Sequence, residues 1–435
     1  MPDTIWSPIP YGLVMTPTGS GRDRKFGTPE QLSTDAVQSA PKQASQPLWS
    51  HPLPSDGSRG IRILTAFLAG VLALVVIGTL AFFGAGMGMS VFLIGGSLAL
   101  VPLTICLLSL YWVDRWEPEP RSALLFAFCW GAGMSVAAAL VVGRWVEPIL
   151  LAGTSITDAA TVSAVLRAPL VEETCKGLGV LLVFLLRRRT FDGPIDGVVY
   201  SGTVAAGFAF TENILYFGSA MTATPRIGNQ LVVTFLVRGL MSPFAHVMFT
   251  ATLGVIVGFA ARRGSTVVVI GAWAIGLVPA MCLHALWNSS SLVTGNFYTV
   301  YGLVQVPLFL LYVLGIVLLR LSEARLTRRR LAEYVPSGWL TAAEVAMLAT
   351  ARGRHQAVLW AQPFGGTKAM KALIRVATRL AFTRQRMLMQ AAGGRWRFEE
   401  GLLLQQLMEA REVLLLELSR APEGTPPGAA SRAAP

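Results

Sequence analysis

The chain is patterned as a succession of long apolar segments separated by short polar connections. Each segment has about twenty residues, the length that an α-helix needs to cross roughly 30 Å of hydrocarbon. This pattern predicts an all-α polytopic membrane protein with about eight transmembrane helices. The predicted spans are Ile61–Phe83, Ser90–Trp112, Ala123–Arg144, a segment that follows the polar stretch Thr154–Ser163 and ends at Leu186, Ile195–Phe217, Leu231–Ala261, Val267–Ser290 and Leu303–Leu319.

The two ends of the chain differ from this apolar middle. Residues 1–60 are rich in Pro, Ser, Gly, Thr and Gln and hold no signal-peptide core, which predicts a disordered cytoplasmic arm. Residues 321–420 are amphipathic, and the run Thr341-Ala342-Ala343-Glu344 is a capping box typical of a helix start. We therefore expect an eight-span membrane domain over 61–320, a basic cytoplasmic helical domain over 321–420 and a disordered tail over 421–435.

Composition supports the membrane class. The 435 residues are 53% hydrophobic and only 14% charged, with a mean hydropathy of +0.56. The formal net charge of the chain is +12. In a membrane protein such an excess of arginine usually reflects the positive-inside bias of cytoplasmic loops, so we predict no nucleic-acid partner. The arginine-rich connections alternate along the chain, which predicts a multi-pass protein of the cell membrane with both termini in the cytoplasm.

Basic residues also cluster in the predicted cytoplasmic domain. They are Lys368, Lys371, Arg375, Arg379, Arg384 and Arg386. Two interpretations carry equal weight: contact with an anionic inner leaflet, or solvated faces of a small helical bundle.

The most unusual feature of the sequence is a group of charges inside an apolar segment. Glu172, Glu173 and Lys176 lie within the fourth predicted span. Each charge near the centre of a membrane helix costs about 2.5–3.5 kcal/mol on an insertion scale, so such residues face partners or a cavity and are candidates for function.

Three other spans carry polar groups at a similar depth. From helical rise, Glu172 lies roughly 22 Å and His246 roughly 22 Å from the cytoplasmic ends of their spans. The corresponding heights are roughly 25 Å for Glu212 with Asn213 and roughly 27 Å for His284. These groups are therefore predicted to form one site in the half of the bilayer away from the cytoplasm.

The residue types suit hydrolysis. A poorly solvated carboxylate can take a proton from water, and a second carboxylate beside it acts as acid or support. Lys176 follows Glu172 by four residues, so the two share a helix face. His284 and Asn288 have the same spacing and are candidates to bind an oxyanion, while His246 would orient water or protonate the leaving amine.

Other interpretations stay open at this point. Glu172 with Lys176 could be a structural ion pair, Glu173 could only support its neighbour, and the histidines and asparagines could be packing contacts between helices. A divalent metal, zinc for example, is a competing chemistry. Its candidate ligands are Glu172, Glu173, His246 and His284. Glu212 needs a partner from elsewhere, for which either of these histidines would serve.

Over roughly residues 111–290 the sequence resembles the PrsW family of membrane-embedded proteases. The motifs that carry the resemblance are Asp114-Arg115-Trp116-Glu117-Pro118-Glu119-Pro120, Glu172-Glu173-Thr174-Cys175-Lys176, Gly207-Phe208-Ala209-Phe210-Thr211-Glu212-Asn213-Ile214-Leu215-Tyr216, His246-Val247-Met248-Phe249-Thr250 and His284-Ala285-Leu286-Trp287-Asn288.

The resemblance implies a glutamate-dependent peptidase, distantly related to CAAX-processing and bacteriocin-processing enzymes, that cuts a membrane-anchored substrate such as an anti-sigma factor. It implies that Glu172 is the base, that Glu173 and Lys176 support it, that His246 assists and that His284 and Asn288 bind the oxyanion. From the residues alone, a proton-coupled transporter or channel and a catalytically silent scaffold remain alternatives.

Overall fold

The computed structural model describes residues 59–419 apart from 157, 189, 223–226, 264, 294–296 and 390–393. Every regular element in the described residues is a helix, which confirms the all-α class for this part of the chain. Residues 1–58 of the predicted N-terminal arm and the whole predicted C-terminal tail lie outside it.

The described residues form sixteen α-helices, numbered here in chain order. They are α1 Arg59–Met87, α2 Met89–Val113, α3 Arg121–Cys129, α4 Val136–Gly153, α5 Ala159–Val162, α6 Ala168–Leu186, α7 Pro194–Thr222, α8 Ile227–Thr234, α9 Ala245–Ala261, α10 Thr266–Val293, α11 Phe297–Val300, α12 Val306–Ala332, α13 Ala342–Leu348, α14 Ala351–Ala361, α15 Thr367–Met389 and α16 Gly394–Ser419. Four π-helical segments join neighbouring helices: Trp130–Ser135, Ser163–Arg167, Phe235–Met241 and Tyr301–Gln305.

Six helical segments of the described chain are long and apolar enough to cross a membrane. They are Ala66–Met87, Met89–Val113, Arg121–Gly153, Asn229–Ala261, Thr266–Ser290 and Phe297–Ala332. The other two predicted spans correspond to α6 and α7, of 19 and 29 residues, which carry charged groups along their length. Membrane-spanning helices are therefore present, whereas the count of eight stays a prediction.

The sixth predicted span is not one continuous helix. A turn at residues 242–244 separates the π-helical segment Phe235–Met241 from α9. Pro243 lies in this turn, and proline cannot donate the backbone hydrogen bond that a continuing helix requires. The predicted span Leu231–Ala261 is therefore divided by this turn, and His246 lies in the first turn of the helix that follows it.

Helix α7 is the most deeply packed helix of the membrane unit, with most of its side chains buried. It approaches α9 so closely that a Cβ atom on Gly197 would overlap the carbonyl of Gly254. A Cβ atom on Gly131 would likewise overlap the carbonyl of Val204. Only glycine permits such close contact between helix backbones. These contacts bring the polar residues of α7 and α9 next to each other.

The connection between α2 and α3 is also tied to α7. Tyr200 on α7 donates a hydrogen bond of 2.6 Å to Glu119, and the backbone N–H of Glu119 donates to Asp114 at 3.0 Å. Burial raises the pKa of Glu119 to about 8. The acidic motif of this loop is therefore part of the packed structure.

The described residues divide into two compact units, one ending at Arg320 and the other beginning at Leu321. The second unit has its own apolar core, built around Tyr334, Trp339 and the inner face of α15. The predicted capping box is confirmed: Thr341 Oγ1 accepts from the Glu344 N–H at 3.1 Å, and Glu344 accepts from the Thr341 N–H at 2.7 Å.

Candidate active site

Helix α6 carries three charged side chains of the predicted site within two turns. Lys176 Nζ lies 2.7 Å from Glu173 Oε1 and 3.7 Å from Glu172 Oε2. The ammonium is fully buried and also lies 3.9 Å from the centroid of the Phe208 ring. Because a desolvated charge is costly unless it is paired, both carboxylates and the aromatic face stabilise Lys176 in this position.

Glu173 is fully enclosed by partners. Its Oε1 lies 3.0 Å from His284 Nδ1 in addition to its contact with Lys176, and its Oε2 accepts a hydrogen bond of 2.8 Å from Thr250 Oγ1. The side chain is 0% exposed. With both oxygens engaged and no access to solvent, Glu173 is arranged as a support for α9 and α10.

Glu172 differs from its neighbour. Its side chain is 13% exposed, and its Oε2 atom is buried without a hydrogen-bond partner among the described residues. His284 Nε2 lies 3.9 Å from this atom. Of the two adjacent carboxylates, Glu172 is therefore the one with an acceptor left for a water, an ion or a substrate.

Each histidine of the site has one ring nitrogen held by a carboxylate. His284 Nδ1 lies 3.0 Å from Glu173, and His246 Nε2 lies 2.8 Å from Glu212. An ionised carboxylate only accepts, so these nitrogens carry the hydrogen in neutral rings. The other nitrogens then present lone pairs: His284 Nε2 towards Glu172, and His246 Nδ1 towards Lys176 at 3.2 Å.

Glu212 has a second partner that sequence reasoning missed. Arg238, on the π-helical segment Phe235–Met241, forms an ion pair with Glu212 and donates to Asn213 Oδ1 at 3.1 Å. The available signal was the arginine itself, a charge inside the apolar sixth span, which calls for a partner.

Two further contacts of the cluster were also missed. Thr250 lies one helical turn after His246 on α9, so its spacing was a signal for a shared face. Phe208 belongs to the motif before Glu212, but nothing in the sequence indicated its contact with Lys176.

Asn288 occupies a different position from the other predicted residues. Its Nδ2 donates a hydrogen bond of 2.7 Å to the carbonyl of Ala164, in the π-helical segment before α6. This contact ties α10 to the start of the Glu172 helix. The interpretation of Asn288 as a packing contact therefore has a specific partner, while its predicted role towards an oxyanion stays a prediction.

Three side chains of the site are also close enough together to hold a metal ion. Glu172, His246 and His284 each offer one ligand atom, and these atoms lie within 4.8 Å of one another. Nitrogen and carboxylate oxygen are ligands that zinc accepts, and the unpartnered Oε2 of Glu172 is suited to such a role. Glu173, which the sequence analysis included as a possible ligand, lies outside this group because its oxygens are bound to Lys176, Thr250 and His284.

Apolar helices of membrane length and a buried cluster of glutamates and histidines define the class as a helical membrane protein with a polar internal site. A family model described as "PrsW family intramembrane metalloprotease" matches residues 119–316. The chain belongs to the PrsW family of intramembrane proteases, whose members are membrane peptidases, as its motifs predicted.

Three relatives named "Protease PrsW" are similar to the chain. The protein from Geobacillus kaustophilus is 31% identical over 188 residues, which are 42% of this chain and 74% of that protein. The protein from Clostridioides difficile is 33% identical over 36% of this chain and 62% of its own length. The Bacillus subtilis protein is 30% identical over the same two shares, 36% and 62%. No solved structure matches the chain.

Proposed function

We propose that this protein is an intramembrane endopeptidase in which Glu172 activates the attacking water. The observation that carries the proposal is the unpartnered Oε2 of Glu172, next to an oriented histidine and a buried ammonium. A carboxylate with these neighbours can accept a proton from water and later return it. Family membership favours hydrolysis over the transporter and scaffold alternatives.

The surrounding side chains divide the work. Glu173 orients His284 and anchors Lys176, whose ammonium lies 3.7 Å from Glu172 Oε2. His246 Nδ1 is an acceptor in a neutral ring and orients the attacking water, and Glu172 returns the proton that it takes from this water to the leaving amine. In a neutral ring His284 Nε2 is an acceptor, so it donates to an oxyanion only when the ring is protonated. When the His284 ring is neutral, Lys176 is the donor beside Glu172, at 3.7 Å, that can stabilise an oxyanion.

The competing chemistry is a divalent metal ion held by Glu172, His246 and His284, in which case Glu172 is a metal ligand instead of the base. A bound metal of this kind supplies Lewis acidity and lowers the pKa of a water. Under this part of the proposal Glu173 and Glu212 orient the two histidine ligands, as carboxylates commonly do around metal sites.

If the site holds a metal ion, the His284→Ala variant is expected to lose it. The purified protein and the variant are analysed for bound zinc, manganese and iron by inductively coupled plasma mass spectrometry. The matched control is Thr252→Ala, whose hydroxyl on α9 binds the Met248 carbonyl outside the cluster. Metal bound at equal amounts in His284→Ala and in the control, or no metal in an active protein, would contradict the metal site.

We further propose that the protein has eight membrane spans, lies in the cell membrane and has both termini in the cytoplasm.

The proposed substrate is a single-span membrane protein cut near the outer face, for example a regulator such as an anti-sigma factor. The test of this substrate class is co-reconstitution with a tagged single-span reporter, with product detection by gel electrophoresis and mass spectrometry. Cleavage of a soluble peptide but never of the membrane-anchored reporter would contradict this substrate class.

We propose that the C-terminal unit contacts anionic lipid through one face of α15. Of the six basic residues in this region, the exposed ones are Lys368, Lys371 and Arg375. Arg384 instead pairs with Glu333 at 2.8 Å and Arg386 lies over the Trp396 ring, so both stabilise the helical unit. The three exposed cations follow the spacing of a single helix face.

Neutralising this face is expected to remove lipid-dependent protection of α15. Each basic residue near an anionic surface contributes about 1 kcal/mol. The full-length protein and a variant with Lys368→Gln, Lys371→Gln and Arg375→Gln are placed in phosphatidylcholine nanodiscs with and without phosphatidylglycerol, and amide exchange of α15 is measured. Arg352→Gln, exposed on α14, is the control. Protection that is the same in both lipids would favour a merely solvated face.

A further inference from the structure

Arg238 is a half-buried arginine that three neighbouring side chains hold in place. It lies on the π-helical segment Phe235–Met241, just before the turn that precedes α9. Its guanidinium lies 3.7 Å from the centroid of the Tyr216 ring, its Nε donates to Asn213 and its Nη2 pairs with Glu212. Three contacts to one face of α7 hold the side chain in a single orientation.

The contact with Glu212 links Arg238 to the cluster. Glu212 Oε2 receives both Arg238 Nη2 and His246 Nε2, the latter at 2.8 Å. An oxygen held by a guanidinium is fixed in position, and it accepts from His246 in a defined direction. The ring of His246 is thereby turned so that Nδ1 faces Lys176.

The same arrangement exists on the other side of the cluster. Glu173 orients His284, and Lys176 and Thr250 in turn hold Glu173. Arg238 therefore holds Glu212, which orients His246. In the same way, Lys176 and Thr250 hold Glu173, which orients His284. Outer partners of this kind fix the tautomer and the orientation of a functional histidine.

We propose that Arg238 is a positioning residue of the peptidase site: by holding Glu212 it fixes His246 in the tautomer and orientation in which Nδ1 is presented to the reacting centre. Arg238 acts through Glu212 and His246 and has no contact with the reacting atoms in this scheme. The catalytic part of the inference rests on the proposed function, whereas the orientation of His246 does not.

Two measurements on the full-length protein test the proposal. The first is cleavage of the single-span reporter by Arg238→Met, Arg238→Lys, Glu212→Gln and the double variant. We expect Arg238→Met to lower kcat about 10- to 100-fold, as loss of an outer partner does, with KM unchanged. Arg238→Lys should recover part of the loss, and Arg238→Met should add nothing in the Glu212→Gln background.

The second measurement is independent of activity. Diethyl pyrocarbonate modifies exposed, unprotonated imidazole nitrogens, and peptide mass spectrometry reads the modification of each histidine. Release of His246 from Glu212 should make its modification several-fold faster in Arg238→Met, with His284 unchanged as internal reference.

Arg167→Met is the matched control for both measurements. Arg167 also lies on a π-helical segment and pairs with a glutamate, but this glutamate is Glu147, at 3.3 Å, and not Glu212. Equal effects of Arg167→Met and Arg238→Met, additive losses with Glu212→Gln, or unchanged His246 modification would overturn the proposal. If the wild-type protein cleaves no reporter, the proposed function fails while the modification rates still decide the role of Arg238.

Discussion

Replacement of Glu172 by glutamine is expected to abolish measurable cleavage of a single-span reporter while the protein still folds. Removing a general base typically lowers a rate about 10²- to 10⁴-fold. Glutamine keeps the size of the side chain but cannot take a proton from water. Its fold should persist because Lys176 retains Glu173 at 2.7 Å and His246 at 3.2 Å.

The measurement is the initial rate of product formation in proteoliposomes, normalised to folded protein by size-exclusion chromatography. Glu147→Gln is the control, since Glu147 is another glutamate of the membrane unit, paired with Arg167 and outside the cluster. Cleavage by Glu172→Gln at a rate close to that of this control would exclude Glu172 as the base. A loss of equal size in both variants would point to a general effect on the membrane unit.

Lys176→Met is expected to cause the largest loss of stability of any single replacement in the site. Lys176 is fully buried between Glu173 and His246, and its removal leaves the fully buried Glu173 carboxylate without its cation. Breaking a buried pair from one side costs about 3–5 kcal/mol. Thr250 and His284 remain as partners of Glu173, so we expect a folded but destabilised protein rather than none.

The free energy of unfolding is measured by denaturation with sodium dodecyl sulfate in mixed micelles. The double variant Lys176→Met and Glu173→Gln should be more stable than Lys176→Met alone, because glutamine removes the uncompensated charge. Thr174→Ala is the control, since among the described residues the Thr174 hydroxyl binds the Leu170 carbonyl one turn earlier and none of the site side chains. A Lys176→Met protein as stable as this control would show that the ammonium is not needed to stabilise Glu173.

Much of the candidate site followed from charge placement alone. Glu172, Lys176, Glu212 and the two histidines were selected because each is costly in an apolar helix, and the structure brings all of them into one cluster. Helical spacing also placed Lys176 within reach of Glu172. These inferences need only the local geometry of a helix and the free-energy cost of burying a charge, which depend little on the fold.

The division of roles could not be read from the same information. Adjacent residues on a helix point about 100° apart, so one of the two glutamates had to face away, but only the neighbouring helices determine which one. Thr250 and His284 surround Glu173, and Glu172 keeps an unpartnered oxygen. Likewise, only the packing of the segment Phe235–Met241 against α7 brings Arg238 to Glu212.

By itself, the sequence determined that this is a helical membrane protein of the PrsW family with charged residues inside its apolar segments. Long-range packing decided the rest: which carboxylate is open, which nitrogen of each histidine faces the cluster, and which arginine supports Glu212. The physical reason is that membrane insertion and helix formation depend on local composition. The direction of a hydrogen bond depends instead on side chains that folding brings together, and these can be more than a hundred positions apart in the chain, as His284 and Glu173 are.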